Sequence, residues 1–206
     1  MHDQYSNLRY NQRESFDYKN RSFVNMEDNL RSKRSLQKLF NALIQEMTTV
    51  AIDDISISKL CTDAGVSRTF YYKNFYSLED VIFHNLTIQA TQYMRASLKY
   101  EQVNSVTLFT EFFKMIKHHS NAWSVLINTN HEYLLVEISE KVTQKLSAQK
   151  IIDDEASYNF RYWNEFLSSG MVSVAIAWIH NGFEEEPAAL GRYLSNYLNN
   201  WHSKSI

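Results

Sequence analysis

A short run of hydrogen-bonding side chains, Arg-Thr-Phe-Tyr-Tyr-Lys, is the part of the sequence best suited to bind a nucleic acid. The guanidinium fork of Arg68 can bond both acceptors on the major-groove edge of a guanine, whereas Lys73 suits a phosphate better. Thr69 and Tyr71 can meet base edges or thymine methyl groups. Tyr72 can pack as a half-buried tyrosine, donate its hydroxyl to a phosphate, or do both. We therefore predict that these five side chains contact DNA. The alternative is a basic helix face that meets only solvent.

The residues around this run have the spacing of a helix-turn-helix. Ser56 is a good N-cap for a first helix, Gly65 suits the end of that helix, and Ser67 caps a second one. Ser77, with Asp80 three residues on, resembles a capping box that begins a third helix. A helix, a turn with glycine and a short polar helix together predict the motif that places a helix in the major groove. Ser56 and Ser67 lie at helix N-termini, so each can also contact a phosphate.

The remaining sequence predicts an all-α protein. Apolar residues recur at steps of three and four over most of the chain, while one proline and four glycines leave few breaks. This pattern predicts further helices over 32–47, 77–99, 105–118, from Asn121, 133–150, 156–181 and 187–201. Gly182 suits the end of the 156–181 helix and Pro187 the first turn of the last one. Residues 1–30 are polar and lack periodicity, which predicts a loosely ordered extension.

The composition argues against several classes of protein. A single cysteine excludes an internal disulfide and a Cys-rich zinc site. His118, His119 and His131 lack carboxylates or thiolates at metal-ligand spacing, so we interpret them as surface or loop histidines and expect neither a metal nor a cofactor. The N-terminus has no apolar core, and no apolar run approaches the roughly 20 residues that span a bilayer. We therefore expect a cytoplasmic protein without a membrane partner.

Four stretches resemble the TetR family of bacterial transcriptional regulators. They are the helix start at 56–60, the Ala-Gly-Val-Ser of 64–67, the Tyr-Lys-Asn-Phe of 72–75 and the Ser-Leu-Glu-Asp-Val of 77–81. The resemblance implies an N-terminal extension (1–30), a three-helix DNA-binding domain with the helix-turn-helix (31–76), and a helical bundle for effector binding and dimerisation (77–206). It further implies a homodimeric repressor that binds a palindromic operator and is released by an effector.

The sequence departs from the family pattern at two positions. Phe70 stands where the family usually has a small residue or threonine. Leu78 stands where it usually has a lysine that often touches phosphate, which predicts a weaker contact at that helix start or one made by backbone N–H groups. The segment 158–182 resembles a Gram-positive subgroup that includes regulators of dihydroxyacetone use, for which the effector could be a protein.

The middle helices are rich in aromatic and aliphatic side chains. Such a set can line a pocket for an apolar effector, although an aromatic stripe at helical spacing more often forms plain core. The pocket candidates are Phe112, Phe113, Ile116, Trp123, Leu126 and Tyr133.

The last two predicted helices carry apolar stripes that predict a dimer interface of two helices from each subunit. The alternative is that these stripes belong to the core of a single subunit. The interface candidates are Phe160, Trp163, Leu167, Met171, Val174, Trp178, Leu194, Tyr197 and Trp201.

Two other functions compete with that of an autonomous regulator. A helical protein-interaction module, or a regulator that needs a co-activator to bind DNA, would fit Leu78 and the net charge of −2. An enzyme is disfavoured, because the sequence contains no Ser/His/Asp arrangement, phosphate loop, paired carboxylates or metal signature.

Overall fold

The computed structural model describes residues 30–101, 103–148 and 160–203. All regular structure in these ranges is helical, as the sequence predicts. Within these described ranges, nine α-helices and a 3-10 turn at Ile52–Asp54 follow one another. The helices are α1 (Leu30–Glu46), α2 (Ile57–Asp63), α3 (Arg68–Asn74), α4 (Leu78–Ser97), α5 (Ser105–His118), α6 (Ser120–Asn128), α7 (Glu132–Ala148), α8 (Phe160–His180) and α9 (Pro187–Ser203). The predicted extension up to residue 29 and the predicted start of α8 at 156 lie outside the described residues.

Most helix ends follow the predicted capping residues. Gly65 and Gly182 adopt φ of 62° and 69°, which ends α2 and α8 as expected. Asp80 reaches one residue further back than in a capping box, since its Oδ2 accepts from the backbone N–H of Tyr76 at 3.0 Å. The Asn121 cap is wrong: α6 begins at Ser120, directly after α5. A full capping box that we did not predict joins Asn104 and Thr107 at the start of α5.

Helix α4 connects the two ends of the described fold. Its N-terminal half packs against α1, and its length also packs against α5 and α7. In the other part of the structure, α9 lies along α5 and α8 along α7. Buried side chains from α1 through α8 form one continuous core, in which Leu39, Leu60, Val81, Phe113 and Ala175 are fully buried. A displacement of α4 would therefore change its packing against both the N-terminal helices and the bundle.

Candidate DNA-binding surface and effector cavity

Helices α2 and α3 form the predicted helix-turn-helix. The side chain of Ser56 accepts from the backbone N–H of Lys59 at 3.5 Å, and that of Ser67 accepts from Phe70 N–H at 3.1 Å. Between the helices, Val66 N–H donates to Cys61 C=O at 2.9 Å and Gly65 N–H to Thr62 C=O at 3.0 Å. These two bonds satisfy the last carbonyls of α2 and make the tight turn that the motif needs. Both serines act as caps and remain exposed, so their contact with phosphate stays a prediction.

One face of α3 presents polar side chains to solvent. Arg68, Thr69, Tyr72 and Lys73 are all exposed, and Tyr72 is 66% exposed. Residues spaced one, four and five positions apart lie on one side of a helix, so these four groups form a continuous surface. We call this set the recognition face. It is short enough to enter a major groove and carries two cations, one of them with the bidentate geometry that suits guanine.

Tyr71 does not belong to the recognition face. The side chain is 1% exposed and packs against Phe75, with ring centroids 5.8 Å apart and planes tilted by 45°. Burial raises the pKa of its phenol to about 12, and its hydroxyl oxygen has no hydrogen-bond partner among the described residues. The prediction that Tyr71 meets a base edge is therefore wrong, because α3 must turn this side toward α2 and α4 to close its own core.

Phe70 and Leu78, the two residues that depart from the family pattern, both pack with the hydrophobic core. Phe70 is half-buried and packs against Phe75 at a centroid distance of 5.9 Å. Leu78 is 9% exposed, so its side chain belongs to the core at the start of α4. Among the nearby cations, Lys59 is engaged by carboxylates of Glu46 and Asp63 at 3.0 and 2.9 Å. The exposed cations of the recognition face therefore carry most of the positive charge that this motif can offer to DNA.

A cavity lies inside the bundle, lined by residues of α4, α5, α6, α7 and α8. It holds about 660 Å³ of empty space, part of which is open to solvent. The lining is mostly aliphatic and aromatic, with Tyr93, Phe109 and Met171 among its members. A mostly apolar concavity with a few polar groups is the usual form of a small-molecule site.

Only some of the predicted pocket residues line this cavity. Phe112 and Trp123 line the cavity. Phe113, Ile116 and Leu126 do not, since each is 0% exposed and fills the solid core on other faces of α5 and α6. Sequence spacing locates the apolar helices but not the face on which packing leaves a gap.

Tyr133 is a further correction to the pocket set. It lies at the start of α7 and is 38% exposed. Burial of its phenol and the nearby Glu79 raise its pKa to about 12. Tyr133 thus connects α7 to the N-terminal end of α4 and takes no part in lining the cavity.

Polar side chains extend from the cavity to α1. Gln89, on the cavity wall, donates its Nε2–H to Asn85 Oδ1 at 2.7 Å. Asn85 in turn donates from Nδ2 to Gln37 Oε1 at 3.2 Å, and Gln37 donates to Asn41 Oδ1 at 2.8 Å. Both Asn85 and Gln89 are buried. We call Gln37, Asn85 and Gln89 the amide chain. It gives the cavity a direct hydrogen-bonded connection to the helix that supports the helix-turn-helix.

Several predicted dimer residues serve the core of their own protomer. Trp178 is 3% exposed and packs edge-to-face on Phe113 and Phe183. Leu167 and Met171 line the cavity. The prediction that these three residues form the interface is wrong, because α8 turns this side toward α7 and α5. Val174 and Leu194 are half-buried against the core, and the side chains of Phe160 and Trp201 lie outside the described residues.

A different set of aromatic residues is exposed on α8 and α9. Tyr162 and Phe166 are 67% and 63% exposed, and Tyr193 and Tyr197 are 56% and 75% exposed. Trp163, predicted for the interface, is half-buried and stacks on Phe166 with centroids 5.8 Å apart. Each exposed pair is spaced four residues apart, which is the signal that could have identified it from sequence. Of the predicted interface residues, Tyr197 lies in this exposed set.

Among the described residues, no group of metal-ligating side chains is found and no helix is long and apolar enough to cross a membrane. His119 lies in the turn after α5, which fits the loop alternative of the predicted surface or loop histidines. It is half-buried between α5 and α6, and burial, together with the adjacent His118, lowers its pKa to about 4.

Comparisons with known proteins agree with this geometry. Residues 104–200 match the TetR-type family model described as a transcriptional regulator C-terminal region. The fold is similar to that of the fatty acid degradation regulator FadR from Bacillus halodurans, with a TM-score of 0.51 and 13% sequence identity over 80% of this chain and 94% of that chain. No curated protein matches the sequence. Residues 104–200 thus resemble a transcriptional regulator C-terminal region, and the regular structure of the described residues is all-helical.

Proposed function

We propose that this chain is a homodimeric transcriptional repressor that binds a palindromic operator through the recognition face and leaves it when an effector occupies the cavity. The observation that carries the proposal is the exposure of Arg68, Thr69, Tyr72 and Lys73 on one side of a correctly capped second helix. A helix-turn-helix whose second helix presents hydrogen-bonding groups outward is built to reach base edges and phosphates together.

The short length of the recognition helix favours a dimer. Helix α3 has seven residues, so one copy can read only a few base pairs. Two copies related by a two-fold axis place their recognition helices in successive major grooves, roughly 34–36 Å apart. The exposed aromatics of α8 and α9 supply a surface for this contact, because large aromatic side chains are enriched at protein interfaces.

The effector is a small molecule that enters the cavity. The cavity supports a small ligand over a protein effector, the alternative suggested by resemblance to regulators of dihydroxyacetone use. The FadR of Bacillus halodurans is described as a regulator of fatty acid degradation, and an apolar chain would suit the lining found here. A ligand changes operator affinity only if it binds the DNA-bound and free forms with different affinities. Helix α4, which both lines the cavity and packs on α1, is the element that a ligand would shift.

The operator sequence can be determined without knowledge of the neighbouring genes. Full-length protein is used to select binding sites from random-sequence DNA, and the enriched sites are aligned. We expect a palindrome with half-sites about one helical turn apart. Gel-shift titration should then give weaker binding by Arg68→Ala than by the parent protein.

Selection without enrichment, or equal affinity of the parent and Arg68→Ala, would contradict the proposed function. The first result would favour the interaction module or a regulator dependent on a co-activator. A palindrome bound by a monomer would contradict the dimer alone.

A further inference from the structure

Two residues that line the apolar cavity each carry a buried polar atom with no hydrogen-bond partner among the described residues. The two atoms are Oε1 of Gln89, an acceptor, and Nε1 of Trp123, a donor. Each residue is 3% exposed. A buried polar atom without a partner costs about 1–3 kcal/mol, which a ligand recovers by supplying the missing bond. The cavity therefore offers defined hydrogen-bonding positions within an apolar lining.

We propose that the cavity binds an uncharged amphiphile whose head group donates a hydrogen bond to Gln89 Oε1. This rests on the proposed function and names the chemical class of its effector. A hydroxyl or a primary amide can donate to Gln89 and can also accept from an N–H such as that of Trp123. The apolar body of the ligand contacts aliphatic and aromatic side chains from α4, α5, α7 and α8.

A carboxylate is a poor match for the same position. It has no hydrogen to donate to Gln89 Oε1. No Lys, Arg or His occurs among the described residues that line the cavity, so the negative charge would be buried without a cation. Burying an unpaired charge costs far more than burying a neutral polar group. The cavity thus selects neutral ligands over anionic ones of the same chain length.

The orientation of the Gln89 amide links the head group to the DNA-binding helices. Its Nε2 is committed to Asn85, which itself donates to Gln37 of α1. A head group that donates leaves this orientation in place and extends the amide chain into the ligand. One that only accepts would require the Gln89 amide to turn, which would break its bond to Asn85. A donating ligand therefore stabilises the connection between α4 and α1.

The binding test compares three probes with the same ten-carbon chain: 1-decanol, decyl methyl ether and decanoate. Isothermal calorimetry on the full-length protein measures each dissociation constant. The ether accepts but cannot donate, so we expect it to bind about tenfold more weakly than the alcohol, as one net hydrogen bond implies. Decanoate should bind more weakly still. Equal binding of alcohol and ether, or tightest binding of decanoate, would overturn the proposal.

Two variants assign the preference to Gln89. Gln89→Leu keeps the approximate volume and removes the acceptor, so the alcohol-to-ether ratio should fall close to one. Ser139→Ala removes another polar group from the cavity wall and should leave the ratio unchanged. Loss of the ratio in Ser139→Ala, or its retention in Gln89→Leu, would place the head group elsewhere. Because the ratio is taken within each variant, altered stability does not mimic the effect.

Hydrogen exchange tests the connection to α1. Saturating 1-decanol should slow amide exchange in residues 30–46 of the parent protein. In Asn85→Leu, whose Gln89 carbonyl remains available, the alcohol should still bind with its preference but should leave exchange in α1 unchanged. An equal response of α1 in both proteins would contradict a role for the amide chain. None of these measurements uses DNA, so their failure leaves the proposed operator binding intact, and a failed operator selection leaves them valid.

Discussion

Tyr71 and Tyr72 are adjacent on the recognition helix and lie edge-to-face, with ring centroids 5.3 Å apart and planes at 85°. Their environments are opposite, since Tyr71 is 1% exposed and Tyr72 is 66% exposed. The buried ring anchors α3 to the domain, while the exposed ring leans on it and is held at the surface. A rigid, outward phenol is suited to donate to a phosphate, because little freedom is lost on binding.

Replacing Tyr72 by phenylalanine should weaken operator binding by about three- to tenfold, which is the effect of one lost hydrogen bond. The ring and its contact with Tyr71 are kept, so the folded structure should not change. Gel-shift titration with the selected operator measures the effect. An unchanged affinity would show that the Tyr72 hydroxyl does not contact DNA.

The matched change Tyr71→Phe provides the control. The Tyr71 hydroxyl is buried and has no partner among the described residues, so its removal should leave the free energy of unfolding unchanged or raise it by about 1 kcal/mol. Operator affinity should remain that of the parent protein. Weaker DNA binding by this variant would contradict the assignment of Tyr71 to the core.

Replacing Arg68 and replacing Lys73 should change DNA binding in different ways as well as by different amounts. Arg68→Ala should cost about 1–3 kcal/mol of binding and relax the base preference at one operator position, whereas Lys73→Ala should weaken all sequences alike and reduce the salt slope by about one. Selection from random DNA and titration at several salt concentrations separate the two effects. Lys59→Ala is the control, because this lysine is already paired with Glu46 and Asp63. A similar loss in all three variants would indicate a general electrostatic effect instead.

A charge placed in the exposed aromatic set should prevent dimer formation. Phe166→Glu and Tyr197→Glu each put a carboxylate on a side chain that is more than half exposed in the protomer, so folding should be retained while the dimer is lost. Light scattering gives the mass directly. Leu98→Glu, at an exposed position after α4, should remain dimeric. Dimers of parent mass in the first two variants would place the interface on another surface.

His119 should make the protein less stable in mild acid. Burial lowers its folded pKa to about 4 from the usual 6.5, so the unfolded chain binds a proton more readily. The resulting stability is complete above pH 6.5 and is lost as the pH falls from 6.5 toward 4, by no more than about 3 kcal/mol. His119→Asn should flatten this part of the pH dependence in urea unfolding. Parallel curves for the parent and His119→Asn would contradict the effect.

The sequence predicts where the helices begin and end better than it predicts which side of each helix is buried. Caps such as Ser67 and breaks such as Gly182 are local, since each depends on a few neighbouring backbone groups, and they correctly mark the helix ends. Which side of a helix faces which neighbour depends on packing between distant segments. Trp178 illustrates this: its spacing fits an interface stripe, but Phe113 from α5 covers it.

The residues that line the cavity were difficult to predict from the sequence for the same reason. Gln89 is an ordinary polar residue in the sequence of a long helix, and only the packing of five helices places it on the wall of a cavity. The recognition face was predictable for the opposite reason, because exposed groups on a short helix need no distant partner. Tyr71 was missed since the short helix α3 offers only a few residues from which to assign its buried face.

The packing of α9 on α5 should be sensitive to a single methyl group at Gly191. A Cβ there would lie 2.9 Å from the backbone nitrogen of Thr110 and 3.0 Å from the carbonyl oxygen of Val106, so the two helices would have to separate. Gly191→Ala should therefore lower the free energy of unfolding by about 1–3 kcal/mol, as overpacking generally does.

Gly170 in α8 is the matched control, because a Cβ there meets nothing within 4 Å of its own protomer. Gly170→Ala should raise the free energy of unfolding by about 0.5–1 kcal/mol, through the lower backbone entropy of the unfolded chain. Urea unfolding of both variants and the parent, at one protein concentration, measures the difference, since dimer formation makes stability depend on concentration. Stabilisation by both alanines would show that α9 and α5 can move apart without cost. Destabilisation by both would indicate that a second subunit approaches α8 closely at Gly170, which would support the proposed dimer.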